Sequence, residues 1–117
     1  MSDNWNVGNE KKKGLKKGLE KAIIVGLVTR DTTEETVKEY LDELEFLAST
    51  AGAITQKHFI QKLQHPNVRT FVGKGKLEEI AQYVEENKID LVIFDDDLTG
   101  KQNGILEEEL KLSLIHI

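Results

Sequence analysis

Ala22-Ile23-Ile24-Val25-Gly26-Leu27-Val28 is an apolar run of strand length, β-branched at its centre and without polar alternation. A strand with one wet face alternates polar and apolar residues. An unbroken run is buried on both faces, as in a parallel sheet covered by helices. Leu91-Val92-Ile93-Phe94 repeats the pattern. Between the two runs the period changes. Thr32 through Glu35 reads as a capping box, the Thr32 hydroxyl accepting from the Glu35 amide while the carboxylate reaches back. Behind it Val37, Tyr40, Leu41, Leu44, Leu47, Ala48 and Ala51 recur at three and four residues. That spacing predicts a one-sided helix, and Gly52 is placed to end it.

Ala53 to Gln64 carries the strand formers Thr55, Phe59 and Ile60, but alternates poorly. Pro66 and Asn67 mark a loop before the short β-like run Thr70-Phe71-Val72. A turn, Gly73-Lys74-Gly75-Lys76, opens a helix with Leu77, Ile80, Ala81 and Val84 on one face, running to about Glu86 and stopping near Asn87. After the second buried strand, Thr99 with Gln102 three positions on predicts the N-cap of a last helix ending near Leu110. The order is strand, helix, strand, strand, helix, strand, helix. Such alternation predicts an α/β fold: a small, mainly parallel sheet of about four strands with helices on its faces.

At 117 residues one domain is expected, with 1–21 a flexible basic arm, 22–112 the folded α/β domain and 113–117 a divergent tail. The arm holds six lysines against Asp3, Glu10 and Glu20 up to residue 22, a net +3. The whole chain is at −5, so the body carries −8. The arm reads either as a phosphate-contacting segment or as a solubilising tail. No run approaches the ~20 apolar residues of a membrane span, and the N-terminus lacks the apolar core of a signal peptide. The absence of cysteine excludes disulfides and thiol catalysis, consistent with a cytoplasmic location.

In a parallel α/β sheet, ligands gather beyond the carboxyl ends of the strands. Three polar clusters belong there: Thr29-Arg30-Asp31, Gly73-Lys74-Gly75-Lys76 and Asp95-Asp96-Asp97. Glycines let a backbone approach an anion, helix N-terminal amides point outward and lysines add charge, so Gly73, Lys74, Gly75 and Lys76 are candidates for RNA or phosphate binding. Arg30, Asp95 and Asp96 are auxiliary candidates. The GxxxxGK[ST] spacing of a nucleotide loop is absent. The three aspartates read either as a magnesium site or as a solvated loop. His58, His65 and His116 have no metal-ligand spacing, no nucleophile motif is visible, and no catalytic residue is assigned.

Taken together, these phrases resemble the HflX family of ribosome-associated GTPases. Val72-Gly73-Lys74-Gly75-Lys76-Leu77-Glu78-Glu79-Ile80 is similar to its GxGKxEE signature, and Asp90 to Leu98 to its ADLVIFDDEL stretch, with Thr99 and Gln102 following as in the family. Glu39 to Gly52 and Ala22 to Val28 are similar to its first helix and first strand. The resemblance implies an N-terminal α/β domain, followed in the family by a helical hairpin and a GTPase domain. It implies the large ribosomal subunit and its 23S rRNA as partners, in ribosome splitting and rescue under stress. GTP and magnesium are implied for the GTPase domain, whose motifs are missing here, so no GTP hydrolysis is expected of this chain alone. Some members are credited with ATP binding by the N-terminal region. The alternative is therefore a small ATP-binding domain with weak hydrolase activity, its phosphates on Gly73–Lys76. Where the family has an LRNLE-like run, Asn103-Gly104-Ile105-Leu106-Glu107 places a glycine inside the last helix. An uncovered sheet edge and uncovered apolar faces make self-association an expectation as well.

Overall fold

A computed structural model describes residues 20–112 and 114–116. Strands β1 (Glu20–Val28), β2 (Ala53–Lys62), β3 (Leu91–Phe94) and β4 (Leu114–His116) alternate with helices α1 (Glu34–Thr50), α2 (Lys74–Asn87) and α3 (Gly100–Leu110). They form one sheet in the order β2-β1-β3-β4, and every pairing is parallel. The expected fold class holds. Two residues assigned to the basic arm, Glu20 and Lys21, pair with Ala53 and Ile54 and begin β1. In the segment expected to diverge, Leu114–His116 pairs with Val92–Phe94. The rest of the arm and residues 113 and 117 lie outside the described residues.

The unbroken apolar character of Ala22–Val28 follows from the central place of β1. Ile23, Val25 and Leu27 point into one cluster, with Leu77, Ile80 and Val84 of α2 and Leu106 and Leu110 of α3. Ala22, Ile24 and Val28 point the other way, against Val37, Leu41, Leu44 and Ala48 of α1. Each large side chain so buried contributes roughly 1.5–3 kcal/mol. The buried stripe of α1 is narrower than its periodicity suggests: Tyr40, Leu47 and Ala51 stay exposed, as does Phe46 at 68%.

The ends of α1 correct one expectation and meet another. Thr33, not Thr32, is the N-cap and accepts from the Thr36 amide, without the Glu35 box. Thr32 is occupied elsewhere, its hydroxyl accepting from the Thr29 amide at 2.9 Å. At the far end Gly52 takes φ 93° and donates to Ser49 O at 3.1 Å, the left-handed stop that glycine adopts without strain. The poor alternation of β2 has a cause in its register. Ala22 faces Thr55 but Ile23 faces Lys57, so Gln56 is an extra residue at a bulge. The inward positions therefore change parity across it, from Ala53 to Ile60 on the α1 side.

The β-like run at 70–72 is not a strand. The Asn67 side chain accepts from the Arg69 and Thr70 amides at 2.8 and 3.0 Å, and Asn67 and Phe71 exchange backbone hydrogen bonds across a tight turn. Phe71 adopts φ 66° there while its ring is buried against Phe94. The element order is therefore a strict β-α alternation, with β4 in place of the extra strand.

Thr99 and Gln102 form the expected capping box at the start of α3. Gly104 lies inside this helix, exposed, with open space where a Cβ would go. Gly104→Ala is expected to raise stability by up to ~1 kcal/mol, read from the denaturation midpoint.

Candidate functional site

Gly73 is the N-cap of α2, so Lys74, Gly75 and Lys76 form the first helical turn rather than a loop ahead of it. Two contacts fix this start. Gly73 donates its amide to Gln61 Oε1 of β2 at 2.8 Å, and the Gln102 side chain of α3 donates to Asn67 O at 2.7 Å, holding the preceding turn. No side chain caps α2, and its first turn carries no acid. The other two helices are capped by Thr33 and Thr99, and α1 adds Glu34 and Glu35 in its first turn. The positive end of α2 thus keeps its outward amides available to an anion. Lys74 and Gly75 are exposed, with nothing within 4 Å of a Cβ placed on Gly75. Lys74 makes no ion pair among the described residues, whereas Lys76 is half-buried and paired with Glu79 at 3.2 Å.

The start of α2 shares the carboxyl edge of the sheet with other basic groups. Arg30 follows β1, Lys62 ends β2 and Arg69 lies in the loop leading to α2, all three exposed. Arg30 and Lys62 line one depression of about 290 Å³ between the ends of β1 and β2. Arg30, Lys62, Arg69, Lys74 and Lys76 are the basic groups of this rim, Lys62 being paired with Glu34 at 3.4 Å as Lys76 is with Glu79, in a chain whose net charge is −5. Lys62 and Arg69 were not singled out from sequence. Their membership depends on where β2 stops and how the loop turns, which no local motif records.

Asp95 and Asp96 occupy a different place. They line a crevice of about 260 Å³ beyond the ends of β1 and β3, with Thr29, Thr32, Thr36 and Tyr40. The strand order reverses between β1 and β3, so this is the switch point of the sheet. None of Gly73–Lys76 lines it, and Arg30 lines the neighbouring depression instead. The lysines and the aspartates, both expected beyond the carboxyl ends of the strands, therefore stand apart from one another. The N-cap and first turn of α2 also offer no long loop to wrap a nucleotide's phosphates.

Asp95 faces α1 and is partly enclosed. Burial, reinforced by the charge of Asp96, pushes its carboxyl up to about 6, while the Leu27 and Asp95 backbone amides favour the charged form and offset part of this. Its folded value lies above its ordinary one, so the folded state holds the proton more tightly, and stability falls as pH rises from about 4 to about 6. Asp95→Asn is expected to stabilise the domain at pH 7 by about 1 kcal/mol, allowing for solvent screening, with the gain vanishing near pH 4. Denaturant midpoints across that pH range would show it.

Comparison with known proteins converges on one family. Residues 38–116 match the model of the family described as GTP-binding GTPase N-terminal. The chain is 58% identical over 64 residues to the GTPase HflX of Flavobacterium psychrophilum, covering 55% of this chain and 16% of that protein. It is 44% identical over 77 residues to the GTPase HflX of Caldanaerobacter subterraneus, covering 66% of this chain and 18% of the relative. The Escherichia coli GTPase HflX is 36% identical over 69 residues, 59% of this chain and 16% of that protein. The chain thus spans less than a fifth of these relatives. A crystal structure of an SsGBP mutation variant superimposes with a TM-score of 0.61 over 84% of this chain and 29% of its own, at 18% identity, a likeness of fold. With the family model covering most of its length, the chain belongs to the GTP-binding GTPase N-terminal family.

Proposed function

We propose that this domain is the RNA-facing module of an HflX-like GTP-binding protein and docks on the large ribosomal subunit through the carboxyl edge of its sheet. The observation that carries the reading is the uncapped, acid-free start of α2 with Lys74 exposed upon it. Arg30, Lys62 and Arg69 stand along the same edge. Phosphate contacts of this kind position a protein on RNA without reading its sequence. An acidic body suits a local contact of this sort better than a generic affinity for nucleic acid. Its role is binding. GTP and magnesium belong to the larger part of the relatives that this chain does not span, and with them the splitting of ribosomes. No helix among the described residues is long and apolar enough to cross a membrane, and a cytoplasmic setting is part of this reading.

The test is co-sedimentation with purified large subunits over a range of salt. Wild-type binding is expected to fall linearly on a log–log plot of affinity against salt. Lys74→Ala/Lys76→Ala is expected to bind roughly tenfold more weakly, with the slope reduced by about 1 to 2. An unchanged affinity and slope would remove the role assigned to α2.

A further inference from the structure

We propose that Asp42, Glu45 and His58 form a binding site for a divalent transition-metal ion, joining α1 to β2. Asp42 and Glu45 stand three residues apart on α1, and His58 comes from β2. His58 is directed toward the helix: its Nε2 lies 2.8 Å from Glu45 Oε1. Ile60, two residues further along the strand, packs into the α1 cluster on the same side. One ligand atom from each of the three residues lies within 4.8 Å of the others. Metal–ligand bonds of about 2.0–2.2 Å hold opposed donors about 4 Å apart. Small rotations of the two exposed carboxylates therefore close the set on an ion.

The donor chemistry indicates the class of ion. Two carboxylates neutralise a divalent charge, and an imidazole nitrogen favours zinc and its neighbours over calcium or magnesium. Neither carboxylate is committed elsewhere: among the described residues the ion-pair partner of Glu45 is His58, and Asp42 has none. The ion would take the place of the contact between Glu45 Oε1 and His58 Nε2, any proton on Nε2 passing to solvent, and water would complete its shell. Sequence spacing could not reveal the site, because the two elements meet only through the fold. The site lies two to three turns down α1 from the carboxyl edge, so it stands apart from the basic rim. Binding would stabilise the folded domain by mass action.

Calorimetric titration of the untagged, metal-stripped full chain with Zn²⁺ tests this, alongside the thermal midpoint. One ion per chain and a raised midpoint are expected. Losing even an outer-shell partner of a metal costs roughly 10–100-fold in affinity. His58→Gln and Asp42→Asn are each expected to weaken binding at least tenfold, and His65→Ala is expected to leave it unchanged. Asp42 is exposed, so its variant decides the matter if the His58 variant folds poorly. No binding, or binding that both variants leave intact, would overturn the proposal.

Discussion

Phe71→Ala is expected to cost about 3–5 kcal/mol, the usual range for a large aromatic removed from a core. The ring is 2% exposed and meets Phe94 edge to face, 5.6 Å between centroids and 85° between planes. The loss would show as an earlier urea midpoint at unchanged slope. A second variant separates the ring from the backbone. Phe71 sits at φ 66°, where an L-residue pays about 1–2 kcal/mol and glycine pays almost nothing. Alanine ordinarily outranks glycine in folded structure; here Phe71→Gly is expected to be the more stable of the two by about 1 kcal/mol. The strain has a structural use. It turns the chain after Asn67 so that Val72 is buried and Gly73 arrives at Gln61, where α2 begins.

Gly26→Ala is expected to cost about 1–3 kcal/mol through overpacking. Its place in β1 lies beneath α1, and a Cβ there would stand 3.0 Å from Asp95 Oδ2 and 3.1 Å from both Leu41 Cδ2 and Val37 Cγ1. Two of these neighbours belong to the close contact between helix and sheet, so relief by side-chain rotation is limited. The third gives a check. Asp95→Ala removes the nearest oxygen, and the double variant is expected to lose less than the sum of the singles by at least about 0.5 kcal/mol. Strict additivity in a double-mutant cycle would show that the crowding lies elsewhere. The glycine explains how a carboxylate fits at the sheet's switch point: β1 leaves room for it beside the first turns of α1.

What could be read directly from the chain was whatever is encoded locally or by burial on two sides. Ala22–Val28 of β1 and the whole of β3 are apolar because helices cover both their faces, and that needs no knowledge of partners. The Thr99–Gln102 cap was legible because both partners lie within one turn. The errors arose where a distant or competing partner decided. Thr32 and Thr33 are chemically alike, and the Thr29 amide settles which of them is free to cap α1. The β2 bulge breaks an alternation that pattern reading depends on. Thr70-Phe71-Val72 has strand-forming side chains, but Asn67 captures the neighbouring amides first. At the candidate site the same division holds. The Gly73–Lys76 phrase was visible as an anion-binding start, while its separation from Asp95 and Asp96 depends on strand order.

The absence of cysteine allows a direct test of where RNA meets the domain. A single cysteine in place of Gly75, whose side-chain direction is open, can carry a thiol-reactive photocrosslinker. A matching Glu85→Cys variant places the same probe about 15 Å along α2, toward the opposite edge of the sheet. With purified large subunits, crosslinking of position 75 to ribosomal RNA is predicted, with little or none from position 85. Efficient crosslinking from position 85 and none from position 75 would contradict docking through the carboxyl edge.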